Sequence, residues 1–143
     1  MVASNKVIEI KKVAFQDLQA LYPEMYLQVF DEIDMFQMPS LIYLVFKDGE
    51  YLGFMSGYLH NATTFYLQYA GINRDKRGYG TLEMWQNGLA ELDKDFMFVI
   101  TIINNNNIPA IKLALHQGFK IHGCRQDTGN NFYVEMIRKK GGI

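Results

Sequence analysis

Three extended runs follow one another between Leu41 and Ile72, and the links between them are too short to hold a helix. Leu41 to Phe46 and Tyr51 to Leu59 are rich in β-branched and aromatic residues. Lys47-Asp48-Gly49-Glu50 joins them with an Asp-Gly pair, which supplies the positive φ values of a tight hairpin. His60 to Thr64 is a polar turn, and Phe65 to Ile72 is the third run. Strands linked this closely pair antiparallel, because a parallel pair needs a crossover of a dozen or more residues. Such a meander excludes a doubly wound sheet, in which strands and helices alternate throughout.

Around the meander the remaining elements can be read in turn. Val7 to Ile10 predicts an edge or near-edge strand whose exposed end is Lys11-Lys12. Phe15, Leu18, Leu21, Tyr22, Met25, Tyr26, Val29 and Phe30 recur at helical spacing, with Pro23 starting a second helix after the first stops. Leu82, Trp85, Leu89 and Leu92 place one apolar stripe on a helix from about Thr81 to Leu92, slightly weakened by Gly88. Phe96 to Ile103 is a continuous apolar run that predicts a strand covered on both faces, ended by Asn104 to Asn107. Pro109, the Ile111/Leu115 repeat and Gly118 mark the start, face and left-handed cap of a short helix. Phe119 to His122 is extended, Gln126 to Asn130 is a loop, and Phe132 to Ile137 is the last strand. The expected class is α+β, one domain over residues 1–143. Its centre is a mixed, mostly antiparallel sheet of about seven strands, flanked by about four helices.

With 143 residues, 49% of them apolar, the chain can bury one core and no second one. Fourteen Lys and Arg against fifteen Asp and Glu leave a net charge of −1, so no overall field holds it to nucleic acid or to an anionic membrane. No apolar run reaches the roughly 18–20 residues of a bilayer span. Cys124 is the single cysteine, and the first residues lack the apolar stretch of a secretion signal, so a cytoplasmic location is expected.

Chemistry concentrates in Arg74-Asp75-Lys76-Arg77-Gly78-Tyr79-Gly80, between a strand and a helix. There backbone N–H groups and the positive end of the helix dipole can hold phosphate together, and the glycines let the backbone approach it closely. Three basic side chains add a local positive field, partly offset by Asp75. The segment is neither a Walker loop nor a dinucleotide fingerprint, which lowers nucleoside triphosphates and dinucleotides as ligands.

Asp75-Lys76-Arg77-Gly78-Tyr79-Gly80 resembles the acetyl-CoA loop Arg/Gln-x-x-Gly-x-Gly/Ala of the GCN5-related N-acetyltransferases. A second segment of that family, Asn-x-x-Ala-x-x-Leu-Tyr-x-x-x-Gly-Phe, is similar to Asn107, Ala110, Leu113, Ala114, Gly118 and Phe119 at matching offsets. The two segments stand in the family's order, and the surrounding elements follow it along essentially the whole chain. The resemblance implies an acyl-CoA N-acyltransferase fold, with acetyl-CoA as co-substrate and an unidentified amine as acceptor. It implies a sheet splayed between Phe65–Ile72 and Phe96–Ile103, the pantetheine arm pairing against Tyr69 to Ile72 with Ala70 and Ile72 in contact. N–H groups of Arg77, Gly78, Tyr79, Gly80 and Thr81 would then cradle the pyrophosphate, and Asn107 would organise the pantetheine side. It also makes the region of Tyr22, Tyr26, Phe30, Asp31, Asp34 and Phe36 the acceptor wall, and leaves a homodimer open.

The chain departs from the family in three places. Ala114 replaces the tyrosine that protonates the leaving thiolate, Phe65 to Ile72 carries no Asp or Glu as a base, and Asp75, in place of the usual Arg or Gln, repels the pyrophosphate unless Arg74 or Lys76 neutralises it. Tyr69 and Tyr66 are the remaining catalytic candidates. His60, His116 and His122 lack metal-ligand spacing, so no metal is expected, and His116 lies on the exposed side of its helix. Cys124 reads as a partly buried apolar thiol. Two functions follow: an acetyl-CoA-dependent N-acetyltransferase acting on a small molecule or protein amine, or a catalytically degenerate module of the same fold, structural or regulatory, as in some phage particles.

Overall fold

Strand β1 (Ile8–Ala14) leads directly into α1 (Phe15–Leu18) and α2 (Tyr22–Val29) in the computed structural model, which describes residues 8–30, 39–76 and 81–142. The meander follows as β2 (Leu41–Lys47), β3 (Glu50–Asn61) and β4 (Thr64–Ile72). A 3₁₀ turn (Arg74–Lys76) precedes α3 (Thr81–Asp95), then β5 (Phe98–Asn104), α4 (Ile108–His116), β6 (Lys120–Gln126) and β7 (Phe132–Lys139). The strands form one seven-stranded sheet in the order β1-β2-β3-β4-β5-β7-β6. Every neighbouring pair is antiparallel except β4 with β5. The expected architecture is the one observed.

The turns behave as their residues require. Asp48 and Gly49 take φ values of 52° and 82° at the hairpin, and Gly118 takes 93° after α4. Pro23 stands in the first turn of α2 and Pro109 in that of α4, where a missing N–H costs nothing.

Several boundaries differ from expectation. β1 runs through Lys11 and Lys12 to Ala14, paired with β2 along its whole length, so the lysines sit within the edge strand and do not end it. Exposed lysines on an edge discourage pairing with a further chain. In α3 the buried positions are Met84, Gly88, Leu89 and Leu92, while Leu82 is exposed. Gly88 is no simple weak point: a Cβ there would come within 2.6 Å of Met55 Cε, so its absence lets the helix lie close to β3. In α4 Ile111 is buried and Leu115 exposed. β6 is an exposed edge strand that includes Cys124, so the thiol is exposed and not partly buried.

Two apolar layers hold the sheet. On one face α3 packs Met84, Leu89 and Leu92 against Val45, Met55, Phe65, Leu67, Val99 and Met136, with Ala114 of α4 at the margin. On the other, Tyr22, Tyr26 and Val29 pack against Ile42 and Phe54. β4 changes phase between these layers. Leu67 pairs with Gly57 and Tyr69 with Ser56, which leaves Gln68 as an extra residue. That bulge moves the α3-facing set from Phe65 and Leu67 to Ala70 and Ile72, and turns Tyr69 towards α2.

Candidate active site

β4 and β5 separate soon after they meet. Their ladder holds Thr64 with Phe98, Phe65 with Val99 and Tyr66 with Ile100, and then ends. Just beyond, the Thr101 hydroxyl donates to the Leu67 carbonyl at 2.9 Å, a buried side-chain bond that closes the vertex where the backbone ladder stops. The diverging halves enclose a cavity of about 230 Å³. Gln68, Tyr69 and Ala70 form one wall, Ile102, Ile103 and Asn104 the other, with Trp85 of α3 and Ala110, Leu113 and Ala114 of α4 closing it. The splay implied by the family resemblance is therefore present, next to the bulge at Gln68.

Two of the four asparagines have local side-chain roles. Asn104 Oδ1 accepts from the Asn106 N–H at 2.9 Å, and Asn107 Oδ1 accepts from the Ala110 N–H at 3.3 Å, capping α4. Asn107 also lines the cavity, so one residue both starts the helix and faces the gap.

The sequence-derived site residues divide into groups. Tyr69, Ala70, Asn107 and Ala114 line the cavity together. Ile72, by contrast, is 4% exposed, packed in the core under α3 and outside the lining of the cavity. Thr81 is the exposed first residue of α3. Arg77, Gly78, Tyr79 and Gly80 lie outside the described residues, as do Asp31, Asp34 and Phe36. Of the two cations that could neutralise Asp75, Lys76 is ion-paired with Glu50, and Arg74 donates to the Leu27 carbonyl at 2.9 Å.

Among the aromatic candidates, Tyr69 meets Tyr26 edge-on at 5.0 Å and Phe30 at 5.9 Å, and Phe30 reaches the cavity. Tyr22 and Tyr26 are core residues: the Tyr22 and Ser56 hydroxyls share a buried hydrogen bond of 2.7 Å, and burial raises the Tyr22 phenol above its ordinary range. Tyr66 is not in the gap. It stacks on Tyr58 at 5.0 Å with the rings 7° from parallel, and burial pushes its pKa up to about 12.

Sequence reading missed a second cleft. His60 and His122, far apart in the chain, both line a space of about 400 Å³ with Tyr58, Tyr66, Arg125 and Glu135. Only the long-range register of the sheet brings them together. His116 is exposed, as expected.

No family model matches the sequence, and no curated protein is similar to it in sequence. Solved structures do match. The ribosomal-protein-S18-alanine N-acetyltransferase from Escherichia coli superposes with a TM-score of 0.73 at 16% identity, covering 94% of each chain. Naa50 from Arabidopsis thaliana, in complex with a CoA-peptide bisubstrate analogue, gives 0.64 at 16% identity, over 90% of this chain and 97% of that one. A GNAT family acetyltransferase from Elizabethkingia anophelis with acetyl-CoA bound gives 0.64 at 12% identity, over 92% of this chain and 97% of that one. The chain has the fold of the GCN5-related N-acetyltransferases.

Proposed function

We propose that the chain is an acetyl-CoA-dependent N-acetyltransferase that acts on an amine of a small molecule or protein. The observation that carries this reading is the gap that opens between β4 and β5 beyond Tyr66 and Ile100, walled by both strands and roofed by α3 and α4. Its open strand wall suits an extended, amide-bearing arm laid along Tyr69 to Ile72 as an added strand. The N–H groups from Arg77 to Thr81 would hold the pyrophosphate at the start of α3. Two solved proteins of the same fold carry CoA-type ligands, which supports the same ligand class here.

Acetyl-CoA supplies an activated thioester: the neutral amine adds to its carbonyl, the N–C bond forms, and the C–S bond breaks to give a thiolate. The chain's own residues contribute mainly placement. The Thr101–Leu67 bond fixes the vertex, and Asn107 sets the start of α4 against the gap. Ala114 presents only a methyl group to the cavity, so the amine proton and the thiolate's proton pass through water, and rate comes from proximity.

Thermal unfolding with and without acetyl-CoA tests the reading. Ligand at about 100 times its dissociation constant adds about 2.7 kcal/mol, and Gly78→Asp should abolish that gain. Thiol release in the presence of an amine then establishes turnover. No shift at millimolar acetyl-CoA overturns the proposal. A shift without thiol release from any amine favours the second reading, a binding module of the same fold, for which the observation is Ala114 at the cavity wall.

A further inference from the structure

The sheet face that carries α1 and α2 is covered by them over β2 to β4. Among the described residues no helix packs on that face over β5, β7 and β6, because α4 lies on the α3 side with Ala114 and Phe119. The second cleft occupies this open area. It adjoins the splayed gap through β5, since Ile102 lines the gap and Ile100, on the same face two residues earlier, lines the cleft.

Register then places one carboxylate at the boundary. Glu135 of β7 is directly opposite Ile102, and Ile137 opposite Ile100, so Glu135 stands beside a wall residue of the gap, about 5 Å away between Cβ atoms. Glu135 Oε1 accepts from Arg125 Nη2 at 2.7 Å, and His122 Nε2 lies 3.7 Å from Oε2. His122 is the extra residue where the β6 register shifts between Ile121 and Gly123. Opposite these charges stand the parallel rings of Tyr58 and Tyr66. One carboxylate, one guanidinium and an aromatic platform thus share a space of small-molecule size next to the gap.

Resting on the acetyltransferase reading, we propose that this cleft is the acceptor site and that the acceptor is a zwitterionic amine of the amino-acid class. Its amino group enters as the ammonium held by Glu135 and loses one proton to water before it adds to the thioester. Its carboxylate is held by the outer N–H groups of Arg125, and its side chain lies against the stacked Tyr58–Tyr66 pair. A cation without a carboxylate gives the outer N–H groups of Arg125 no partner in the ligand, and an anion without an ammonium meets Glu135.

The test uses the intact chain, acetyl-CoA, the twenty amino acids and the matching decarboxylated amines, phenylalanine against 2-phenylethylamine among them, read by thiol release. At least one amino acid should exceed its decarboxylated partner tenfold or more in kcat/KM. Glu135→Gln should lower that value at least tenfold, chiefly through KM, and Arg125→Gln should remove the preference for the carboxylate. Both variants should keep the acetyl-CoA-induced thermal shift, which shows that they fold and that the gap is intact. If acetyl-CoA shifts the wild-type protein yet only carboxylate-free amines or protein amines react, or none does, the zwitterion assignment is overturned while the cofactor reading stands. An unchanged KM in Glu135→Gln overturns it too. A wild-type protein with no acetyl-CoA shift is instead the failure of the acetyltransferase reading.

Discussion

Replacing Thr101 by valine removes one oxygen from the vertex of the splayed gap and almost nothing else, since the two side chains have nearly the same shape. Thr101 is 8% exposed, and its hydroxyl donates to the carbonyl of Leu67, a residue 3% exposed. A typical internal hydrogen bond contributes about 0.5–1.5 kcal/mol net, and a buried acceptor left without its donor raises the loss to about 1–3 kcal/mol. At roughly 3 °C per kcal/mol for a domain of this length, Thr101→Val should lower Tm by about 3–9 °C. Urea unfolding is the sharper assay: the midpoint should fall with the slope unchanged. Thr101→Ser is the control, because it keeps the oxygen and forfeits one methyl group, about 0.8 kcal/mol. A valine variant as stable as the wild type would refute the reasoning, since the β4–β5 junction would then be held by backbone pairing alone.

Two further outcomes are expected. A Cβ at Gly71 would lie 2.4 Å from Val29 Cγ1, and a β-branched side chain buried under α2 cannot swing away, so Gly71→Ala should cost about 1–3 kcal/mol in urea unfolding. The same change should be close to neutral in a Val29→Ala background, and equal costs in both backgrounds would show that the helix does not rest on that glycine. Asp127, at the β6–β7 turn, has its carboxyl lowered below 3.8, first by the Asn131 backbone N–H and then by the Asn131 side chain, Gly129 and Tyr133. A depressed folded value stabilises the turn above the unfolded carboxylate value and is lost as pH falls through the folded one. Protection of the Gly129 and Asn131 amides, taken relative to intrinsic exchange at each pH, should therefore fall below about pH 3.8, and an Asp127→Asn variant should lack that pH dependence.

The order of elements was legible because each signal was local. Asp-Gly at the hairpin, Pro23, Pro109 and Gly118 act within a few residues, and their φ values and positions follow from sequence neighbours alone. The gap was legible through resemblance to a family, not through periodicity. Less could be read where the outcome depends on partners distant in the chain. The extra residue at Gln68 changes which face Ala70 and Ile72 occupy, and nothing in Phe65–Ile72 announces it, since the opposite strand decides where the ladder slips. Leu82 had the right spacing for the α3 stripe but lies beyond the sheet's reach, whereas Met84 faces it. His60 and His122 looked scattered because their meeting requires the β3–β4–β5–β7–β6 neighbourhood to be assembled first. Cys124 was misjudged for the same reason: whether β6 is an inner or an outer strand is a property of the sheet order.

Where β4 and β5 part, the sheet acquires two edges in its middle. An edge strand ordinarily invites any extended chain, including other copies of the same protein, and that invitation is a route to aggregation. Here the two edges lie at the bottom of a slot between α3 and α4. A single narrow chain can be laid into such a slot, whereas another sheet, about 10 Å thick with its side chains, cannot enter. The fold thus keeps an adhesive surface available by limiting the width of what can reach it. Because the surface is main chain, its chemistry survives wide drift in the side chains around it, in keeping with a shared architecture at 10–16% identity.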